Sequence, residues 1–183
     1  LNMASTLKKA LKIIEASSDS QKAKGEAFEK LSKIFLENDP LQSQLYSKIW
    51  TYEDWAKENE GYSEHDIGID LVAKISDEDG YCAVQCKFYG ERNAISKADL
   101  DSFISASATP DFTRLLLIDT SVVELGANAE SVIDNLDKEF QRVPLVYLEE
   151  SRIDWLSYVN EGEIRFSRNK EPMGHQLEAL DAV

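Results

Sequence analysis

Apolar residues recur along this chain with two different periods. From Gln21 to Leu36 they fall at positions 27, 28, 31, 34 and 35, the spacing of an amphipathic helix. Leu11 and Ile14 predict a shorter helix over Lys8 to Ala16. Between Asp66 and Tyr89 the pattern changes to strand. Asp66-Ile-Gly-Ile-Asp70-Leu-Val-Ala-Lys-Ile and Tyr81-Cys-Ala-Val-Gln85-Cys-Lys87-Phe-Tyr are β-type runs joined by Ser76-Asp-Glu-Asp-Gly80, which together predict a hairpin. Ser96-Lys-Ala-Asp99 reads as a capping-box start to a helix carrying Leu100, Phe103 and Ile104. Arg114-Leu-Leu-Leu-Ile-Asp-Thr120 is a continuous apolar run, as expected of a central strand covered on both faces. Asn128 to Phe140 returns to the helical period through Val132, Ile133, Leu136 and Phe140, and Val143-Pro-Leu-Val-Tyr-Leu148 is predicted to be a strand. Such alternation implies parallel pairing beyond the hairpin, and so an α/β fold with a mixed central sheet flanked by helices.

Side chains alternate along a strand, so Tyr81, Ala83, Gln85 and Lys87 share one face of the second hairpin strand while Cys82, Val84, Cys86 and Phe88 share the other. A Gln and a Lys two residues apart on an otherwise apolar strand are costly to bury unpaired, which points to a polar site opposite Asp70. Cleavage of a phosphodiester needs an in-line water, neutralisation of charge developing on the phosphate and stabilisation of the leaving oxygen, all of which carboxylate-held Mg²⁺ can supply. Asp70, an amide oxygen from Gln85 and the intervening Cys86 carbonyl are expected to form a partial oxygen cage for that ion, with Mn²⁺ as a substitute. Lys87 is placed to orient or help deprotonate the water, or to stabilise negative charge in the transition state. The competing reading is an exposed hairpin with an incidental Asp and Lys.

The blocks Gly25-x-x-Phe28-Glu29, Gly68-Ile69-Asp70 and Gln85-x-Lys87 occur in that order. The chain thereby resembles the Mrr-like branch of the PD-(D/E)xK nuclease superfamily, with the match covering roughly residues 20 to 150. The resemblance implies a restriction-endonuclease-like fold acting on double-stranded DNA. Gln85 stands where many superfamily members carry Asp or Glu, a departure typical of this branch that leaves one fewer charged ligand. Glu29 is expected to offset it by binding a second metal or a metal-bound water; its alternative is an exposed helix carboxylate beside Lys30 and Lys33.

Composition bounds this picture. With 183 residues, 43% of them apolar, the chain can bury one sizeable core, expected over residues 1–159. No run is long enough to span a membrane and the first residues lack a signal-peptide core, so a cytoplasmic protein is expected, and the resemblance implies a bacterial one. Cys82 and Cys86 lie too far apart along an extended strand to bridge, and read as small buried hydrophobes. Trp50, Tyr52 and Trp55 read as local core rather than a base-stacking surface, and His65 as a solvated loop residue.

The formal net charge of −14 opposes nucleic-acid binding. Only Lys74, Lys87, Arg92 and Lys97 lie close to the site in sequence, too few for a basic patch. The domain alone is therefore expected to grip DNA poorly and to rely on tethered partners that raise its effective concentration. Residues 160–170 have linker composition, and Glu171-Pro-Met-Gly-His175-Gln176-Leu-Glu-Ala-Leu180 resembles the segment just ahead of the ATP-binding motif in superfamily 2 helicase and translocase motors. Joined to an Mrr-like domain, that segment points to the single-chain type ISP restriction-modification enzymes, which combine nuclease, translocase, methyltransferase and target-recognition regions. ATP would act only through that motor. Two other readings remain open: a stand-alone Mrr-like or Holliday-junction nuclease, and an inactive PD-(D/E)xK fold used as an acidic docking module.

Overall fold

The computed structural model describes residues 5–65 and 68–167. Helices α1 (Thr6–Ser17) and α2 (Gln21–Asn38) start where serines can cap them, Ser5 accepting from the Lys8 N–H and Ser20 from that of Ala23. After the single turn α3 (Gln42–Leu45) come β1 (Tyr46–Thr51), α4 (Tyr52–Glu58), β2 (Leu71–Ile75) and β3 (Tyr81–Lys87). Then follow α5 (Lys97–Ala106), β4 (Phe112–Asp119), α6 (Ala127–Asp134), β5 (Glu139–Val143), α7 (Leu145–Glu150) and α8 (Trp155–Glu161). The strands form one sheet in the order β1-β2-β3-β4-β5. β1, β2 and β3 are antiparallel neighbours, whereas β3, β4 and β5 run parallel, so the sheet is mixed as expected. Among the described residues no helix is long and apolar enough to cross a membrane.

Both faces of the sheet are covered. Leu71, Ala73, Cys82, Val84, Leu116 and Ile118 pack with Leu7, Phe28, Leu31 and Trp155 on one side. Their chain neighbours Val72, Ala83 and Leu115 pack with Trp55, Phe103 and Phe112 on the other, and Leu117 packs with Leu100 beside them. This strict alternation is the strand period of two, and it explains why the central strands read as unbroken apolar runs. Trp55 is wholly buried against Tyr52, Tyr62, Tyr81 and Phe112, as core rather than surface.

Two stretches depart from expectation. Residues 139–143 are the last strand and 145–150 a helix, whereas the periodicity predicts helix to Phe140 and strand from Val143 to Leu148. Pro144 sets the border: it has no N–H for the ladder and a fixed φ that suits the residue before a helix. Phe140 points inward from an edge strand, a single apolar position that a helical stripe absorbs by accident. The strand β1 is missed for a different reason. Its register shifts between Tyr46 and Lys48, so its inward residues Tyr46 and Ile49 are three apart instead of two.

The hairpin turn shows what a glycine can be required for. Gly80 has φ of +117°, and a Cβ there would lie 2.9 Å from the Thr113 side chain. Gly80→Ala should destabilise the fold by more than about 1 kcal/mol, read as a lower denaturation midpoint; an unchanged midpoint would mean the turn relaxes freely.

Residues 162–167 are tied to the domain. Gly162 closes α8 at φ of +71°, the Asp154 N–H donates to Arg165 O at 2.8 Å, and the Ser167 N–H donates to Arg152 O at 2.7 Å. Residues 168–183, including Gln176 and the segment expected to open a motor, lie outside the described residues.

Candidate functional site

Asp70 is delivered by its own tripeptide. Gly68 turns the chain with φ of +91°, Ile69 anchors it at 2% exposure, and the Asp70 backbone is then held from both sides. Its N–H donates to Val84 O at 2.9 Å and its carbonyl accepts from the Tyr52 N–H at 3.0 Å. The carboxylate therefore sits against β3, where Oδ2 accepts the Cys86 N–H at 2.7 Å.

Gln85 is 5% exposed, and its Nε2 donates to Gly68 O at 3.1 Å. That bond links the Gly-Ile-Asp and Gln-x-Lys blocks. Its Oε1 is buried and has no hydrogen-bond partner among the described residues. An orphaned buried acceptor costs on the order of 1–3 kcal/mol, which a hard cation or donor arriving there would recover. The donor set thus fits an oxygen-ligated ion.

Glu29 comes from α2. Lys22, Gly25, Glu26 and Glu29 recur at helical spacing and line a cleft of about 490 Å³ that Asp70, Ile69, Glu53 and Glu64 also line. Glu29 and Asp70 therefore share one space despite lying far apart in the chain. Burial pushes the Cys86 thiol well up, and the Asp70 charge, with a smaller push from Glu29, adds to this. Cys86 stays a thiol and so a poor metal ligand through sulfur. Cys82 is fully buried and its thiol is pushed up to about 12, mainly by burial. Among the described residues no three His, Cys, Asp or Glu side chains converge as a metal cluster, so the Gln85 amide and backbone oxygens would have to complete any ligand set.

Lys87 points its ammonium at α5, 3.4 Å from Asp99 Oδ1, with both side chains about a quarter exposed. Asp99 also accepts from Tyr89 Oη at 2.9 Å and from the hydroxyl and N–H of Ser96 in the capping box. Burial works against ionising Asp99, but the Ser96 and Tyr89 hydrogen bonds and the Lys87 charge outweigh it and hold its carboxyl below the ordinary value. Burial, reinforced by Asp99, pushes the Tyr89 hydroxyl up to about 12, so Tyr89 remains a donor. One carboxylate thus fixes both the start of α5 and the direction of Lys87.

Residues 37–164 match the profile of a family described as restriction endonuclease, of the Mrr catalytic type. The chain belongs to that family. No curated protein sequence matches it. Among solved structures it is similar to the ATP-dependent type ISP restriction-modification enzyme LlaBIII bound to DNA, at 28% identity and a TM-score of 0.66 over 88% of this chain and 10% of that one. The MspJI restriction endonuclease in complex with a 27-mer oligonucleotide shares the fold, with 12% identity and a TM-score of 0.53 over 99% of this chain and 40% of that one. The chain thus spans about a tenth of the first protein and two fifths of the second.

Within this restriction endonuclease domain, two features escape a linear reading. Asp119, wholly buried at the end of β4, is gripped by Arg142 of β5 at 2.8 and 3.0 Å and accepts the Ser121 N–H at 2.8 Å. Asp119 lies beside Lys87 in the β3–β4 register. An Asp closing an apolar run is a visible signal, but its partner Arg142 sits between the helix predicted to end at Phe140 and the strand predicted to start at Val143. The second feature is charge near the cleft. Lys22, distant in sequence from Asp70, reaches it through α2 and adds a cation that sequence proximity leaves out.

Proposed function

We propose that this chain is a Mg²⁺-dependent DNA endonuclease domain, the cleavage module of an ATP-dependent type ISP restriction-modification enzyme working in the bacterial cytoplasm. The observations that carry this reading are the cleft that Asp70 and Glu29 both line and the buried, unpartnered oxygen of Gln85, whose amide is bound to Gly68 O two residues before Asp70. Asp70, Gln85, the Cys86 carbonyl and Glu29 are the groups that would hold the ion, with Mn²⁺ as a substitute. When bound, Mg²⁺ would polarise the phosphate and lower the pKa of a water.

The remaining work falls to the protein. The Cys86 N–H and the paired backbone of Asp70 keep its carboxylate from turning away, so little reorganisation accompanies binding. Lys87 supplies the positive charge that meets the phosphate or orients the attacking water, and Asp99 holds it extended until substrate competes for it. The acidic surface supports a tethered arrangement in which translocase, methyltransferase and target-recognition regions of the same polypeptide bring double-stranded DNA, and ATP acts through the motor.

Gln85 tests the ligand set. Gln85→Glu should still take up Mn²⁺ in a calorimetric titration and retain metal-dependent cleavage, with a changed preference between Mg²⁺ and Mn²⁺. Gln85→Leu, which has no side-chain oxygen, should do neither. Equal metal uptake and cutting by both variants would make Gln85 structural. A parent protein indifferent to both ions would favour the acidic docking module instead.

A further inference from the structure

Gly25 lies inside α2, where the fold has no use for a glycine. The helix runs unbroken from Gln21 to Asn38 behind a Ser20 cap, and Gly25 is not among the described residues of positive φ. A Cβ built on it would meet nothing within 4 Å. Gly68 and Gly80 differ, since each adopts a φ that other residues avoid, and at Gly80 the neighbouring Thr113 crowds the position as well. In a helix interior glycine is a poor choice because it exposes backbone and sacrifices chain entropy. Here the choice brings neither a special backbone shape nor a closer internal contact.

The reason must lie outside the chain. Gly25 is one helical turn before Glu29, on the same face, and it lines the cleft that Glu29 and Asp70 share. Lys22, one turn earlier, lines the same cleft with its side chain 86% exposed and its ammonium 3.8 Å from Glu26, one of the carboxylates that line it with Glu53 and Glu64. A half-buried glycine surface beside a lysine that a phosphate can draw away from Glu26 suits a polyanionic strand that must come close to the metal-binding groups. We propose that the α2 surface at Gly25 is the track along which the sugar-phosphate backbone of the DNA substrate passes to reach Asp70 and Glu29, with the missing side chain giving the strand its clearance. This rests on the nuclease reading above and names the surface by which that site admits its substrate.

The test uses Gly25→Ala and Gly25→Leu. Because the space is open, Gly25→Ala should raise Tm by about 2–4 °C. Calorimetric Mn²⁺ uptake should be unchanged in both variants, since neither touches a ligand. Affinity for a short fluorescent duplex, measured by anisotropy in Ca²⁺, should fall from parent to Ala to Leu. Plasmid cleavage by the Leu variant should drop on the order of 10²-fold, the scale expected when a substrate is displaced by about 1 Å. Parent-like binding and cutting by Gly25→Leu would overturn the proposal, and so would a lower Tm for Gly25→Ala, which would return the glycine to the fold. Lost cutting with intact duplex affinity would also overturn it, by pointing to helix flexibility. Absence of Mn²⁺ uptake and cleavage in the parent itself would remove the nuclease reading and this track with it, an outcome distinct from the others.

Discussion

Asp70→Ala and Lys87→Ala should each fold and each lose DNA cleavage by on the order of 10²–10³-fold, the loss seen when one preorganised charge-stabilising group is removed from an active site. Asp70 is half-buried and its carboxylate accepts the Cys86 N–H, a bond whose loss should cost about 1 kcal/mol of stability. Lys87 is tied by a partly exposed ion pair worth about 0–1 kcal/mol, and Asp99 keeps its Tyr89 and Ser96 hydrogen bonds without it. Stability and cleavage should therefore separate. The two variants should also differ from one another: Asp70→Ala should lose Mn²⁺ uptake, whereas Lys87→Ala should keep it. Cleavage by either variant at the parent rate under saturating Mg²⁺ would end the assignment of that residue.

Arg142→Leu should be the most destabilising single substitution near the site. Asp119 has no exposed side-chain surface, and Arg142 supplies two of its hydrogen bonds as well as the opposite charge. Without Arg142 a buried carboxylate keeps just the Ser121 N–H as a hydrogen-bond donor among the described residues, an arrangement that typically costs about 3–5 kcal/mol. That is a large share of the ~5–15 kcal/mol by which domains are stable. Denaturant midpoints should show the loss, and the double variant Asp119→Asn/Arg142→Leu should recover much of it by removing the orphaned charge. If the double variant is no better than Arg142→Leu, the guanidinium matters for its bond to Val123 O rather than for Asp119.

Much of the α/β framework is legible along the chain because the relevant signals are local. Helix α2 shows its period, α5 shows its capping box, and the hairpin shows two apolar runs around a glycine turn. Gly68-Ile69-Asp70 and Gln85-x-Lys87 stand out for a related reason: each is a short run in which turn, anchor and functional group are covalent neighbours. Local signals fail where partners decide. The bulge in β1 breaks the alternation that would reveal it, and β5 holds its place through parallel pairing to β4 with little apolar pattern of its own.

The same division runs through the site. Residue types and spacing marked Asp70, Gln85 and Lys87 as candidates for one chemistry, and the resemblance to Mrr-like nucleases added Glu29. Only the tertiary structure put Glu29 and Asp70 in the lining of one cleft, left Gln85 Oε1 buried and unpartnered, turned Lys87 toward Asp99, and matched Asp119 with Arg142. The reason is physical. Period and motif record which faces must be buried and which turns can form, whereas charge pairing, desolvation and open space are set by groups that meet through the packing of distant segments.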